Sequence, residues 1–382
     1  MTRRGIAPRR SSSEAMKCHR AVASQTFAAS CCFRMFRTMT LDGGHGPTGR
    51  AMQYSGVQHR IRLSFAKLAF TAWMAGTFSN AGAERFPNGF SSNLDEARGT
   101  LEYYFKGRKL LAYAFATNQF KPYVRELYSL TGENVLLDAP PDHLHHHGLM
   151  FAVRVNGVNF WEERDQPGHE VHVKLLDQRS GWNTRELPEA SFTELIHWVP
   201  HGDESLADTT PAAFLIERRA LTLSVNESAR EVSLAWHGEF EVGARTNRVQ
   251  LHGSDYNGLG LRLPASWNRV ARHQNSENAP YVTGGKRDVF PARWSTVSPG
   301  ASEDDVQVAL FARPAGHPGT NAFFSMTDPF TYLSATIRLD QKPLELRAGD
   351  HFSLDYLVLV YPTRRTPEQM ERRYQAWVGE LK

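Results

Sequence analysis

The sequence has little of what several large classes of functional site require. All three cysteines, Cys18, Cys31 and Cys32, lie near the N-terminus, and no cysteine follows them. A cysteine nucleophile, an iron–sulfur cluster, a thiolate zinc site and a disulfide framework are therefore excluded from the rest of the chain. That part also contains no glycine-rich phosphate loop and no apolar run near the roughly 20 residues that span a bilayer.

Acidic residues are scarce at one end of the chain only. Residues 1–83 hold 12 lysines and arginines against 2 acidic residues, whereas the remaining residues hold 32 against 38. The formal charge of +4 and the pI near 8.9 therefore come from the N-terminal segment. Binding to nucleic acid needs basic residues gathered on a folded surface, so we expect no nucleic-acid partner.

Residues 52–83 have the order of a secretory signal peptide. Basic residues up to Lys67 precede an apolar run of roughly 11 residues, and small residues follow it up to Ala83. This order predicts export to the periplasm or medium of a bacterium, with cleavage after Ala83 and no stable membrane insertion. Residues 1–51 predict a disordered or wrongly assigned extension, with Met52 as a natural start. A transit peptide and a buried first helix are the alternatives.

Residues 84–382 are expected to form a single all-β domain. Short apolar alternation is broken by turn residues, most clearly in segment 150–161, where two strand-like runs meet at Asn156-Gly157. This pair is preferred in a type I′ hairpin turn. Other predicted strands are 109–115, 220–225, 231–242, 259–264, 306–313, 332–339 and 352–361. The pattern predicts a large antiparallel two-sheet sandwich.

One helix is predicted at the C-terminus. Thr366 is a suitable N-cap, and Pro367 suits the first helical position. An apolar stripe with helical spacing follows, at Met370, Tyr374, Trp377 and Val378.

Four histidines occupy five positions in the stretch PPDHLHHHG, residues 140–148. If this stretch is extended, His143, His145 and His147 point to one face and His146 to the other. Imidazoles that share a face can bind a metal, transfer protons near neutral pH or hold a ligand by hydrogen bonds. The spacing matches no familiar metal-binding motif, so the metal alternative depends on composition.

The segment 120–172 resembles a known bacterial family. KPYVRELYSLTGENVLLDAPPDHLHHHGLMFAVRVNGVNFWEE is similar to the PmoA-like family, often labelled methane oxygenase PmoA. The positions that match the family's motif are Asp142, His143, His145, His146, Gly148 and, after the hairpin, His172. Leu144 and His147 stand where the family has proline and arginine, and loss of that arginine removes a bidentate contact to an anionic ligand.

The resemblance implies a galactose mutarotase-like β-supersandwich, similar to those of sugar epimerases, some lyases and accessory domains of glycosidases. The oxygenase label implies a membrane copper enzyme, which needs apolar spanning helices that the chain after Ala83 lacks. The fold leaves the reaction open.

Three functions remain open. The first is an exported carbohydrate-active enzyme, performing epimerisation, elimination or hydrolysis with histidine acid–base groups or a divalent metal. The second is a metal-dependent oxidoreductase, and the third is a non-catalytic sugar-binding protein. In each case the ligand is a small molecule or an oligosaccharide.

The candidate site residues divide into three groups. The catalytic candidates are His143, His145, His146, His172 and Glu163. The substrate-binding candidates are Asp142, Trp161, Tyr256 and Arg262. The metal-binding candidates are His143, His145 and His172. Additional candidates are Glu162, Glu239 and Glu241 as carboxylates, Trp198, Trp236 and Trp294 as stacking rings, and Lys121 and Arg125 as ligand contacts. We expect the histidines to converge on one cavity.

Overall fold

Strands account for most of the regular structure in the computed structural model of this chain, which describes residues 84–203, 213–278, 288–313 and 321–380. These residues belong to one compact unit. The predicted extension and signal peptide, residues 1–51 and 52–83, lie outside the described residues. Within the described part, no helix is both long and apolar enough to cross a membrane.

The largest sheet of the described residues has ten strands, and all its neighbours pair antiparallel. In spatial order these strands are β1 (Glu84–Arg85), β2 (Phe90–Asp95), β3 (Thr100–Phe105), β4 (Arg108–Ala114), β5 (Tyr123–Leu127), β6 (Leu149–Ala152), β14 (Gly258–Arg262), β20 (Tyr332–Thr336), β19 (Ala322–Met326) and β16 (Asp288–Pro291).

A second antiparallel sheet contains eight strands within the described ranges. In spatial order they are β15 (Arg272–Asn275), β17 (Trp294–Ser298), β18 (Gln307–Ala312), β22 (His351–Tyr361), β12 (Glu231–Val242), β11 (Leu215–Asn226), β10 (Pro188–Val199) and β9 (His169–Trp182). A third, smaller sheet consists of β21 (Leu344–Arg347), β13 (Arg248–His252), β7 (Arg154–Val155) and β8 (Val158–Asn159).

The two large sheets pack through their apolar faces. Across the interface, the ring centroids of Tyr103 and Phe192 are 6.3 Å apart, and those of Phe151 and Trp198 are 6.1 Å apart. Alternate side chains of both sheets contribute to one continuous core. The predicted antiparallel sandwich is therefore confirmed, whereas the third sheet and the 3-10 turn Ala265–Trp267 were not predicted.

The predicted hairpin turn and the predicted helix are both present. Asn156 and Gly157 have φ of +50° and +83°, as a type I′ turn requires at both central positions. Helix α1 (Pro367–Glu380) begins with a reciprocal cap: the Gln369 amide N–H donates to Thr366 Oγ1, and the Thr366 N–H donates to Gln369 Oε1. The helix packs its buried stripe against the second sheet.

Candidate functional site

The histidine segment 140–148 is a loop of successive turns and not an extended segment, so its side chains do not alternate between two faces. The amide of His143 donates to the carbonyl of Pro140, and the amide of His146 donates to that of His143, both at 2.9 Å. Such turns bring residues three apart together, so the His143 and His146 rings stack with centroids 4.6 Å apart. His145 packs edge-on against His146, also at 4.6 Å.

These three histidines form one side of a cavity of about 580 Å³. The aromatic lining side chains come from β19, β20, the loop between these strands and the segments around Trp161 and Tyr256. The lining residues are Pro141, Asp142, His143, Leu144, His145, His146, Trp161, Glu162, Arg164, Tyr256, Phe324, Met326, Phe330 and Tyr332. Three predicted ligand contacts, Asp142, Trp161 and Tyr256, therefore line the same cavity as three of the four predicted acid–base histidines.

The aromatic wall is continuous. The Trp161 ring lies 5.5 Å from Tyr256 and 6.2 Å from Tyr332, centroid to centroid. Gly260 in β14 makes room for this contact, because a Cβ there would overlap the Tyr332 hydroxyl and lie 3.2 Å from the Trp161 ring. Phe330 closes the wall against the histidines, 4.7 Å from the His143 ring.

Two histidines of this cavity, His145 and His146, favour the neutral form. Burial, with the nearby His145 and His143, lowers the pKa of His146 to about 2. Burial and the charge of Lys121 also lower the pKa of His145. Neutral imidazoles accept a proton or a hydrogen bond, so His145 is suited to act as a base at neutral pH. The Nδ1 atom of His146 is buried and has no hydrogen-bond partner among the described residues.

Arg262 is a buried support at the rim of the cavity rather than part of its lining. Its Nη2 donates to Asp142 Oδ2 at 3.1 Å, and its guanidinium lies 3.9 Å from the centre of the Phe330 ring. Asp142 also lies 3.2 Å from Nδ1 of His143. Arg262 therefore holds two elements of the site in place, and its direct contact with a substrate stays a prediction.

Glu163 is held by two side chains and does not line the cavity. Its Oε1 accepts hydrogen bonds from Lys121 Nζ at 2.8 Å and from His147 Nε2 at 2.9 Å. Burial alone would raise the pKa of Glu163, but the His147 hydrogen bond and the Lys121 charge lower it to about 2. The neighbouring Glu162 lines the cavity instead, so an acid–base role of Glu163 stays a prediction that this geometry does not favour.

His172 does not join the other histidines. It lies on β9, at the edge of the second sheet, and its Nδ1 is 2.6 Å from Oε1 of the buried Glu194. It lines a different cleft. The predicted convergence of His143, His145, His146 and His172 is therefore wrong.

The predicted metal set of His143, His145 and His172 is not assembled for the same reason. In the ranges that the structure describes, no three His, Cys, Asp or Glu side chains are grouped to hold a metal ion.

Other candidates have structural roles. The three tryptophans Trp198, Trp236 and Trp294 are at most 2% exposed and belong to the core. Lys121 binds Glu163, whereas Arg125, Glu239 and Glu241 lie outside the cavity. Sequence reasoning missed Phe324, Met326, Phe330 and Tyr332, which form much of the aromatic wall. Their only sequence signal is the aromatic density of the segment 323–332.

A family described as "Family of unknown function (DUF6807)" matches residues 100–375. That description names neither a methane oxygenase nor any other activity. No curated protein sequence matches the chain.

Several solved structures are similar to this chain at low sequence identity. The galactosidase domain of the α-galactosidase-sucrose kinase AgaSK is 10% identical, with a TM-score of 0.42 over 70% of this chain and 41% of that chain. The GH36 α-galactosidase AgaB from Geobacillus stearothermophilus is 11% identical, with a TM-score of 0.42 over 71% of this chain and 41% of that one. The chain thus spans about two fifths of the length of these α-galactosidases. A galactose mutarotase related enzyme from Lactobacillus acidophilus is 11% identical, with a TM-score of 0.34 over 66% of this chain and 95% of that chain.

Proposed function

We propose that this chain, which belongs to DUF6807, a family of unknown function, is an exported carbohydrate-active enzyme. It binds a sugar in the histidine-lined cavity and uses His145 as an acid–base group. The observation that carries this proposal is the meeting of an aromatic wall and three imidazoles, two of which have a lowered pKa, in one cavity of about 580 Å³. That volume lies in the range of small-molecule sites.

The two sides of the cavity suit the two sides of a sugar. A pyranose ring has an apolar face of C–H groups, which packs on aromatic rings such as Trp161 and Tyr256. Its hydroxyl groups need polar partners at the edge of the ring, and the histidines, Asp142 and Glu162 supply them. The mixture of apolar wall and polar rim favours a sugar over a purely apolar ligand.

His145 and Glu162 are the acid–base candidates. Both line the cavity, and the carboxylate of Glu162 is near enough to oppose the lowering of the His145 pKa. Glu162 is itself held by hydrogen bonds from Asn159 Nδ2 at 3.2 Å and Arg164 Nη2 at 3.1 Å. A neutral imidazole beside a positioned carboxylate can exchange a proton with a sugar, as epimerisation, elimination and hydrolysis all require.

Turnover and binding together test this proposal. Purified protein is incubated with a panel of glycosides and oxidised sugars, and binding is measured in parallel by calorimetry. We expect conversion of at least one sugar, and we expect His145→Gln to lose conversion while its affinity and its unfolding midpoint stay close to those of the original protein. His351→Gln changes an exposed imidazole outside the cavity and is the matched control.

Three outcomes would contradict the proposal in different ways. Affinity without conversion of any sugar would identify a binding protein and end the catalytic part. Full activity in His145→Gln would remove that residue from the mechanism. Absence of affinity for every sugar tested would end the proposal altogether.

The export part has its own test. N-terminal sequencing of the protein from the periplasmic or secreted fraction of a bacterial host is expected to begin at Glu84, as the segment ending at Ala83 predicts. A protein that stays in the cytoplasm with its first residues intact would contradict export and leave the site proposal untouched.

A further inference from the structure

A second cleft lies along the edge strand β9, and it shares no lining residue with the histidine-lined cavity. Its volume is about 550 Å³. The turn after β2, the loop after β4 and part of β9 enclose it. The lining residues are Glu96, Ala97, Arg98, Gly99, Phe115, Ala116, Thr117, Asn118, His172, Val173, Lys174 and Leu175.

His172 is held in one orientation at the wall of this cleft. Its Nδ1 lies 2.6 Å from Oε1 of Glu194, a carboxylate with no solvent exposure. A carboxylate can only accept a hydrogen bond, so the neutral imidazole tautomer that fits this contact carries its proton on Nδ1 and leaves Nε2 as an acceptor. Since Nδ1 is engaged by Glu194, Nε2 is the ring nitrogen left for a ligand in the cleft that His172 lines.

A buried hydrogen-bond network fixes Glu194 in turn. The Tyr113 hydroxyl donates to Oε2 of Glu194, and the same hydroxyl accepts from Arg219 Nη1 at 3.3 Å. Arg219 is completely buried and also donates to both oxygens of Glu217, at 2.8 and 2.9 Å. A buried ionic network is rarely more stable than apolar packing of the same volume, so its presence behind one cleft-facing imidazole favours a functional role.

The backbone around His172 is shaped to form the cleft. Strand β9 carries two bulges close together, since Val173 and Leu176 have no partner in the register with β10. Bulges bend a strand and re-aim its side chains, and they occur often beside functional sites. On the opposite side, Gly99 has φ of +61°, and a Cβ there would overlap the backbone of Ala116, so the turn and the loop can meet only with glycine at this position.

We propose that the cleft along β9 is a second ligand site, in which Nε2 of His172, oriented by Glu194, accepts a hydrogen bond from a hydroxyl group of a neutral mono- or disaccharide. The rim supports a neutral, hydroxylated ligand. Thr117 and Asn118 offer a hydroxyl and an amide, and charges of both signs are present, with Glu96 facing the cleft together with Arg98 and Lys174. No bond is made or broken in this step.

Nitrogen NMR of the histidine side chains tests the proposal with D-galactose and lactose as probes. His172→Gln assigns the His172 signal by its disappearance. We expect that signal to show Nδ1–H with an unprotonated Nε2, and to shift saturably as either sugar is added. The shift of the His172 signal should persist in His145→Gln, because this substitution alters only the histidine-lined cavity.

Two further variants separate ligand binding from a structural role. Asn118→Ala changes an exposed rim residue, and we expect it to weaken the sugar affinity read at His172 by about threefold to tenfold, as loss of one hydrogen bond does. Glu194→Gln is expected to mix the two tautomers of His172 and to weaken the same affinity, with circular dichroism confirming that the variant is folded.

Some results would overturn the second site without touching the first. No saturable His172 shift with either sugar would end it, as would a shift that vanishes in His145→Gln, because the signal would then come from the first cavity. Unchanged affinity in both Asn118→Ala and Glu194→Gln would also end it. The proposed function fails instead when His145 and the first cavity show no response to sugars.

Discussion

The Nε2 atom of His147 lies 2.9 Å from Oε1 of Glu163, and this contact turns the fourth histidine of the cluster out of the cavity. Its Nδ1 lies 2.8 Å from Oδ1 of Asp138, so both ring nitrogens donate, which only the imidazolium can do. The ring also stacks on Tyr123 at 4.1 Å. The loop that presents His143, His145 and His146 is therefore anchored by a charged side chain between two carboxylates.

We expect His147→Gln to lower the free energy of unfolding by about 3 kcal/mol at pH 6, because it removes the charge-assisted hydrogen bonds to the half-buried Asp138 and Glu163. Burial opposes the charge of His147, but its hydrogen bonds to Asp138 and Glu163 outweigh burial and raise its pKa. Because the pKa of His147 is higher in the folded than in the unfolded protein, its contribution to stability is complete below the ordinary value near 6.5. That contribution is lost as the pH rises through the folded value. The cost of the substitution should therefore shrink at alkaline pH in denaturant titrations.

His237 provides the matched control for this anchor. It also lies between two carboxylates, Asp355 at 2.6 Å and Glu239 at 3.3 Å, but its side chain is 38% exposed, whereas that of His147 is 12% exposed. Solvent screens an exposed pair, so His237→Gln should cost less than about 1 kcal/mol. Equal losses in the two variants would show that His147 does not anchor the loop.

Local sequence patterns were enough to predict the regular elements. Strand β12 has the bounds predicted from alternation in residues 231–242, and α1 buries three residues of its predicted stripe. The Asn156-Gly157 turn follows from backbone preference alone. In each of these, the residues that decide the structure are neighbours in the sequence.

The site depends on contacts that are distant in the sequence, and those could not be predicted. Tyr332 reaches Trp161 only because β20 and β6 both pair with β14. His172 and Glu194 meet through the register of β9 with β10. One sequence signal for the buried ionic network was available and missed. Glu217 and Arg219 lie two residues apart on the face of β11 whose other residues are mostly apolar. Charged residues at such positions indicate a buried ion pair.

We expect Arg219→Met to lower the free energy of unfolding by at least about 3 kcal/mol, or to prevent folding. Arg219 donates to Glu217 at 2.8 Å and to Glu170 at 3.0 Å, and all three side chains have no solvent exposure. Burial already raises the pKa of Glu170, and removal of the guanidinium would leave its neighbours without compensation. Urea denaturation measures the loss.

Arg218→Met is the control for this substitution. Arg218 is the preceding residue on the same strand, but its side chain is exposed on the opposite face. We expect it to change the free energy of unfolding by less than about 0.5 kcal/mol. If Arg219→Met were equally harmless, the buried network would have no role in stability.

The buried, neutral His146 predicts a stability that falls in acid. Its pKa is about 2 in the folded protein, whereas an unfolded histidine titrates near 6.5. Between these values the unfolded chain binds the extra proton, so this residue lowers the free energy of unfolding by up to about 1.4 kcal/mol for each pH unit below 6.5. Denaturant titrations at pH 7, 6 and 5 should therefore show a shallower pH dependence of the free energy of unfolding in His146→Gln than in the original protein.

His351→Gln removes an exposed imidazole and should leave this pH dependence unchanged. Equal slopes in all three proteins would contradict the neutral, buried state of His146.

Gly260→Ala tests whether the aromatic wall of the first cavity needs its present spacing. The added methyl group would overlap the Tyr332 hydroxyl and press on the Trp161 ring. We expect a loss of about 1–3 kcal/mol in the free energy of unfolding from this overpacking. We also expect weaker affinity for any sugar that binds in the cavity, because the stacking surface is displaced.

Gly181→Ala on β9 is the control, because its added methyl group meets no atom within 4 Å. It should change neither the free energy of unfolding nor the sugar affinity. Unchanged sugar affinity in a folded Gly260→Ala protein would mean that Trp161 and Tyr332 do not form the face on which the ligand lies.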